Sequence, residues 1–159
     1  MTRNMALTGL IAAISLSFSA EGKASWGPGQ GDFRNSIISC IDSVGEWGED
    51  FFCIGFKCQG SELQLIHISS SGDFSGNLRL VVQKGRGAED SHYDVALIPD
   101  YILSERSGVI VESSPINRHL WQDIMRSHTI TIGISTWSEY STIGLESYTD
   151  TLTSQCQPH

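Results

Sequence analysis

The chain has 159 residues, with ten Lys+Arg against eighteen Asp+Glu and a formal net charge of −8. A chain of this length forms one domain with a core of its own. The acidic balance argues against a nucleic-acid or anionic-membrane partner and is compatible with a basic protein partner or simply with solubility.

Met1 to Ala24 reads as a secretory signal peptide. Arg3 supplies the positive start, Met5 to Phe18 is the apolar run, and Ser19, Ala20 and Ala24 are the small residues that follow. The run is too short and too serine-rich for a membrane span. Cleavage after Ala20 or after Ala24 stays open, and either leaves a net charge of −9. No later segment reaches spanning length. The expected location is therefore the periplasm or the exterior, where paired cysteines become disulfides.

Residues 25–32 carry three glycines and a proline around Trp26 and are expected to be a flexible lead-in, with docking of Trp26 on the body as a variant. From Phe33 to His159 a single disulfide-bonded, β-rich domain is expected. Ser36 to Ile41 reads as a strand, and Gly45 to Asp50 as a turn. Phe52, Ile54, Phe56 and Cys58 alternate along the next strand and define its inner face. Gln59-Gly60 turns the chain into Leu63 to Ile68. Ser69 to Gly76 is a polar loop, Leu78, Leu80 and Val82 mark a strand, and Lys84 to Ser91 is an exposed loop. Tyr93, Val95 and Leu97 alternate again, and Gly108 to Val111 is a short strand.

A helix is expected over 115–126, with Ser114 as N-cap and Pro115 in the first turn. Ile116, Leu120 and Ile124 share its apolar face. Ile130, Ile132 and Ile134 return to strand periodicity, and Thr142 to Leu145 is a last strand. A shorter helix over 147–156, capped by Ser147, aligns Tyr148, Leu152 and Cys156 on one face. The fold class is mainly β: an antiparallel sandwich or curved sheet with one mid-chain helix and a short C-terminal helix.

Four cysteines allow three pairings. Cys40 and Cys53 stand on opposite arms of the glycine-containing turn and are expected to bond, leaving Cys58 for Cys156. Cys53 and Cys58 point to opposite faces of one strand, which disfavours their pairing. The spacing is also wrong for a Cys-x-x-Cys redox pair or a zinc site.

No catalytic motif stands above background, and no catalytic, cofactor or metal residue is assigned. His67 on an apolar strand is read as structural, and His119 and His128 as not forming a metal pair. The acids Glu49-Asp50 and Glu89-Asp90 are read as solvated in turns. There is no Gly-x-Ser-x-Gly elbow. Trp47, at the tip of the first hairpin, is the one residue singled out as a partner contact, with packing onto the sheet as the alternative.

The segments Ile38-Ser39-Cys40 and Phe52-Cys53-Ile54, with the tail from Leu120 to Cys156, resemble the small periplasmic proteins of the invasion-associated locus B type. The chain departs from that pattern in placing its last cysteine at the very end. The resemblance implies an exported β-rich domain with an envelope or host-association role, acting on a protein or other envelope macromolecule. It brings no catalytic residue. The alternatives are a small periplasmic hydrolase and a structural envelope accessory; a polar cleft joining His67 or His92 to an acid and a serine would favour the hydrolase.

Overall fold

The computed structural model describes residues 25–45, 48–70, 72–133 and 137–159. Residues 1–24, read above as a signal peptide, and Trp47, the expected partner contact, lie outside the described residues. In chain order the elements are β1 (Gly27–Pro28), a 3-10 turn (Gly31–Phe33), β2 (Ser36–Gly45), β3 (Gly48–Gln59), β4 (Glu62–Ser69), β5 (Asn77–Gln83) and β6 (Ser91–Ala96). There follow β7 (Ile98–Pro99), α1 (Tyr101–Ser107), β8 (Ile110–Pro115), α2 (Arg118–Met125), β9 (Thr129–Gly133), β10 (Trp137–Ser141) and α3 (Glu146–Gln155). All strand pairs among the described residues are antiparallel. They form a six-stranded sheet, β1-β2-β3-β4-β8-β7, and a four-stranded sheet, β10-β9-β5-β6.

Both faces of the larger sheet are covered at its centre. Alternation sends Ile54, Phe56, Leu63 and Leu65 into the main core, where they join Leu78, Leu80, Val82, Ile130 and Ile132 of the smaller sheet and Leu120, Trp121 and Ile124 of α2. The opposite face carries Cys53, Ile66, Ile68 and Val111, packed beneath Leu103 of α1, Phe33 and Ile38. This double cover explains why β4 is buried from Leu63 to Ser69 without a polar-out rhythm. Tyr140 ties the layers together by donating its hydroxyl to the Phe52 carbonyl at 3.1 Å.

Both disulfides are present. Cys40 and Cys53 are register partners on β2 and β3, and Cys58 joins Cys156 at the end of α3. The tail beyond Cys156 is laced into the sheet: Gln157 donates to the Ser61 carbonyl at 2.9 Å and accepts from Leu63 N–H at 3.0 Å.

Several expectations need correction. Thr142 to Leu145 is not a strand: the last strand is Trp137–Ser141, and residues 142–145 turn the chain into α3. Residues 25–32 are not a loose lead-in. Gly27 and Pro28 pair with β2, and Trp26 is buried, its indole N–H donating to the Ser141 carbonyl at 2.7 Å. Ser114 and Pro115 do not start the mid-chain helix. They end β8, opposite Leu65 and Gln64, and Asn117 is the N-cap, its side chain accepting from Leu120 N–H at 2.8 Å. Ser147 lies inside α3 rather than capping it, and Cys156 follows that helix in extended conformation. Helix α1 was not expected at all. Asp100 caps its start by accepting from Leu103 N–H, and Gly108 ends it at φ 70°, a left-handed conformation that glycine adopts without strain.

Candidate partner-binding surface

His67 on β4 and Glu112 on β8 are direct register neighbours, and both side chains point to the inner face. The Glu112 side chain is 0 % exposed and that of His67 4 %. His67 Nδ1 lies 3.3 Å from Glu112 Oε2. The loop before β5 completes the cluster. Ser75 donates its hydroxyl to Oε2 at 2.5 Å, and Gly76 donates its backbone N–H to Oε1 at 2.8 Å.

Burial pushes the Glu112 carboxyl up, but the donors from Ser75, Gly76 and His67 outweigh it and hold the group below the usual carboxylate range. Burial pushes His67 down from 6.5 more strongly than Glu112 pulls it up. The resting pair is thus an ionised carboxylate and a neutral imidazole. A carboxylate only accepts, so the His67 proton sits on Nδ1.

An acid, a histidine and a serine therefore do converge, the acid and the histidine out of solvent and Ser75 half-buried. The Ser75 hydroxyl donates to the acid and not to the imidazole, so the three do not form a serine–histidine–acid relay. The arrangement works as a tether. Through Ser75 and Gly76 it fixes the loop that carries Phe74, and the Glu112 backbone pairs with Pro99 of β7.

What the tether holds in place is apolar and exposed. Phe74 packs edge-on against Tyr101, ring centroids 5.0 Å apart. Beside them Ile98 is 62 %, Tyr101 67 % and Ile102 74 % exposed. Helix α1 turns Leu103, Ser104 and Ser107 toward the body, so Tyr101, Ile102 and Glu105 share its outer side. Asp73 and Glu105 are exposed at the margin, and Asp100 lies 3.8 Å from Lys57. Ile98, Tyr101 and Ile102 thus stand exposed within five positions of the chain, with the acidic residues Asp100 and Glu105 close by in sequence and Asp73 next to Phe74.

A second polar cluster joins α2 to β6. Asp123, nearly buried, accepts from the Tyr93 hydroxyl at 2.6 Å and lies 3.0 Å from Lys84 Nζ, with His119 at 4.0 Å. Burial opposes ionisation of Asp123, yet hydrogen bonds from Tyr93, Ser91 and Lys84 hold it down to about 2. Burial, and then the bond to Asp123, push Tyr93 up to about 12. This network fastens α2 to the smaller sheet.

The remaining sequence candidates are scattered. His128 lines an open groove of about 180 Å³ with Ile124, Met125, Thr142 and Glu146, below the usual size of a small-molecule site. His92 is exposed on β6. Asp50 accepts from the Ser70 hydroxyl at 3.2 Å, and Glu89 and Asp90 are exposed. Among the described residues no group of three or more His, Cys, Asp or Glu side chains is placed to hold a metal. No protein-family model, curated protein or solved structure matches the chain.

Proposed function

We propose that the protein is exported and acts without catalysis, by binding a basic macromolecular partner in the cell envelope or at a host surface. The observation that carries this reading is the trio of exposed apolar residues Ile98, Tyr101 and Ile102, with half-buried Phe74 against Tyr101, Asp100 and Glu105 nearby in the chain, and Asp73 next to Phe74. Apolar anchors inside a charged rim are the usual anatomy of a recognition surface. These acids select for Lys- and Arg-rich partners and speed their encounter. Two disulfides and the absence, among the described residues, of any helix able to cross a membrane are compatible with a periplasmic or extracellular site. The resemblance to the invasion-associated locus B type supports the same assignment.

The test is affinity capture from native envelope extract, comparing the disulfide-bonded protein with a Tyr101→Ser/Ile102→Ser variant. Both side chains are exposed, so the variant keeps its fold. The expected result is a specific basic protein held by the parent and lost by the variant. Equal capture by both, or turnover in a panel of hydrolase substrates with no capture, overturns the reading.

A further inference from the structure

We infer that the β6 edge pairs with the β6 edge of a second copy of this chain, so that two smaller sheets join into one continuous eight-stranded sheet. The observations are independent of the exposed apolar residues described above. Two of the four sheet edges, β1 and β7, are only two residues long. The β10 edge is occupied at one end by the Trp26 indole on the Ser141 carbonyl. β6 runs for six residues, from Ser91 to Ala96, with no proline or lysine in it. Among the described residues its only strand partner is β5, and no other backbone hydrogen bond reaches it. An edge of this length with free N–H and C=O groups is a template for another strand.

Side-chain charge selects both the occupant and the register. A twofold axis normal to the sheet makes the two strands antiparallel and keeps like faces together, so each residue meets one of the same parity. With Tyr93 opposite its own copy, His92 of each chain stands opposite Asp94 of the other, and Ser91 opposite Val95. Both His92 and Asp94 are exposed on the outer face, so two reciprocal imidazole–carboxylate pairs form across the axis. Moving the axis to Asp94 sets carboxylate against carboxylate. Moving it to His92 sets Asp94 against Asp90. Moving it to Ser91 sets His92 against Asp90, which lies outside the strand, and leaves most of β6 without a strand partner, so the Tyr93 register alone joins complementary side chains within the full strand. Arg79, 3.1 Å from Asp94 on the neighbouring strand, keeps this face close to neutral in an otherwise acidic chain. Pairing also leaves the Tyr93–Asp123 bond untouched, because that bond lies on the inner face.

Sedimentation equilibrium over a wide concentration range tests the inference. The protein is expected to show a reversible monomer–dimer equilibrium. His92→Asp should raise its dissociation constant about tenfold, because each cross-strand pair becomes a repulsion. The double exchange His92→Asp/Asp94→His restores the pairs in swapped positions and should return most of the affinity. Circular dichroism of each variant confirms that the monomer is intact. A monomer at every concentration overturns the inference, including one whose edge takes up an unrelated extended peptide. So does a dimer indifferent to His92→Asp, or one that the double exchange fails to rescue.

Discussion

His67 and Glu112 face each other across the β4–β8 ladder at 3.3 Å, one neutral and one ionised, with both side chains out of solvent. The arrangement makes the fold sensitive to acid. His67 binds its proton less readily folded than unfolded, so between its folded pKa and about 6.5 the unfolded chain carries more protons. Stability is therefore full above about pH 6.5 and declines as the pH falls below it. Glu112, also depressed, adds to the decline below its ordinary value near 4.5. Urea midpoints should drop between pH 7.5 and 5.5. His67→Gln, which keeps a donor but no titration, should flatten that slope. Parallel slopes for the two proteins would count against the assignment.

Glu112 is a stronger test of the tether. Its two oxygens receive three donors, from His67, Ser75 and Gly76. In Glu112→Gln one oxygen becomes an NH2 group. Turned toward Gly76 it meets a backbone donor; turned toward Ser75 and His67 it forces the hydroxyl to rotate and the imidazole proton to move to Nε2, and either way the charge is lost. The expected cost is about 2–4 kcal/mol, the range for breaking buried bonds to a charge. The Leu97 amide, bonded to the Gly76 carbonyl at 2.8 Å, should exchange faster with solvent than the amides of β3. An unchanged melting curve together with unchanged Leu97 protection would show that the loop stands without the tether.

The two bridges should differ in weight. Cys40–Cys53 spans 13 positions and Cys58–Cys156 spans 98. On the chain-entropy account the shorter loop contributes about 3 kcal/mol and the longer about 4.7 kcal/mol. Cys58→Ala/Cys156→Ala should lower the guanidinium midpoint more than Cys40→Ala/Cys53→Ala. It should also release the tail that pairs with Ser61 and Leu63. Equal midpoints, or the reverse order, would show that the tail is held by its hydrogen bonds alone.

At high pH the loss should come from tyrosine. Tyr93, raised to about 12 by burial and by its bond to Asp123, keeps its proton longer folded than unfolded. Its contribution is whole below about pH 10 and disappears as the pH climbs from there toward 12. Tyr140, buried between the sheets, moves in the same direction. Absorbance titration should show phenolate from Tyr93 only as the fold gives way, and Tyr93→Phe should reduce the alkaline slope of stability. A Tyr93 phenolate at pH 10.5 in folded protein would be incompatible with the Asp123 bond.

The β-rich class and both bridges were legible because period-two alternation and cysteine geometry are local signals. Phe52 to Cys58 fixes its own inner face, and the glycine-containing turn fixes Cys40 opposite Cys53. The mid-chain helix was legible through Leu120 and Ile124, but its start was misplaced. Ser114-Pro115 has helix-cap chemistry and is claimed instead by the ladder to β4. Helix α1 has no amphipathic stripe, since Tyr101, Ile102 and Leu103 are consecutive; the usable signal was Asp100 before it and Gly108 after it. The His67–Glu112 tether joins residues 45 positions apart and requires the β4–β8 register, which no local pattern states. Docking of Trp26 was legible as a variant, but its partners Phe56 and Ser141 were not, because they are remote in sequence while its neighbours are loop formers.

Trp26 supplies the last prediction. Its ring stacks on Phe56 with centroids 5.5 Å apart, Phe56 in turn meets the edge of Trp121 at 5.2 Å, and its indole N–H bonds the Ser141 carbonyl on β10. One side chain from the supposed lead-in thus joins the two sheets and the layer of α2. It is only 6 % exposed. Trp26→Ala removes that volume and leaves the Ser141 carbonyl without its donor, at an expected cost of about 3–5 kcal/mol. Trp26→Phe keeps most of the stacking and loses the bond, so its cost should be nearer 1–2 kcal/mol. In a double-mutant cycle Trp26→Ala and Phe56→Leu should fall short of additivity by at least about 0.5 kcal/mol, as contacting residues do. Strict additivity, or a Trp26→Ala cost under about 0.5 kcal/mol, would mean that residues 25–29 hang from the domain rather than close it.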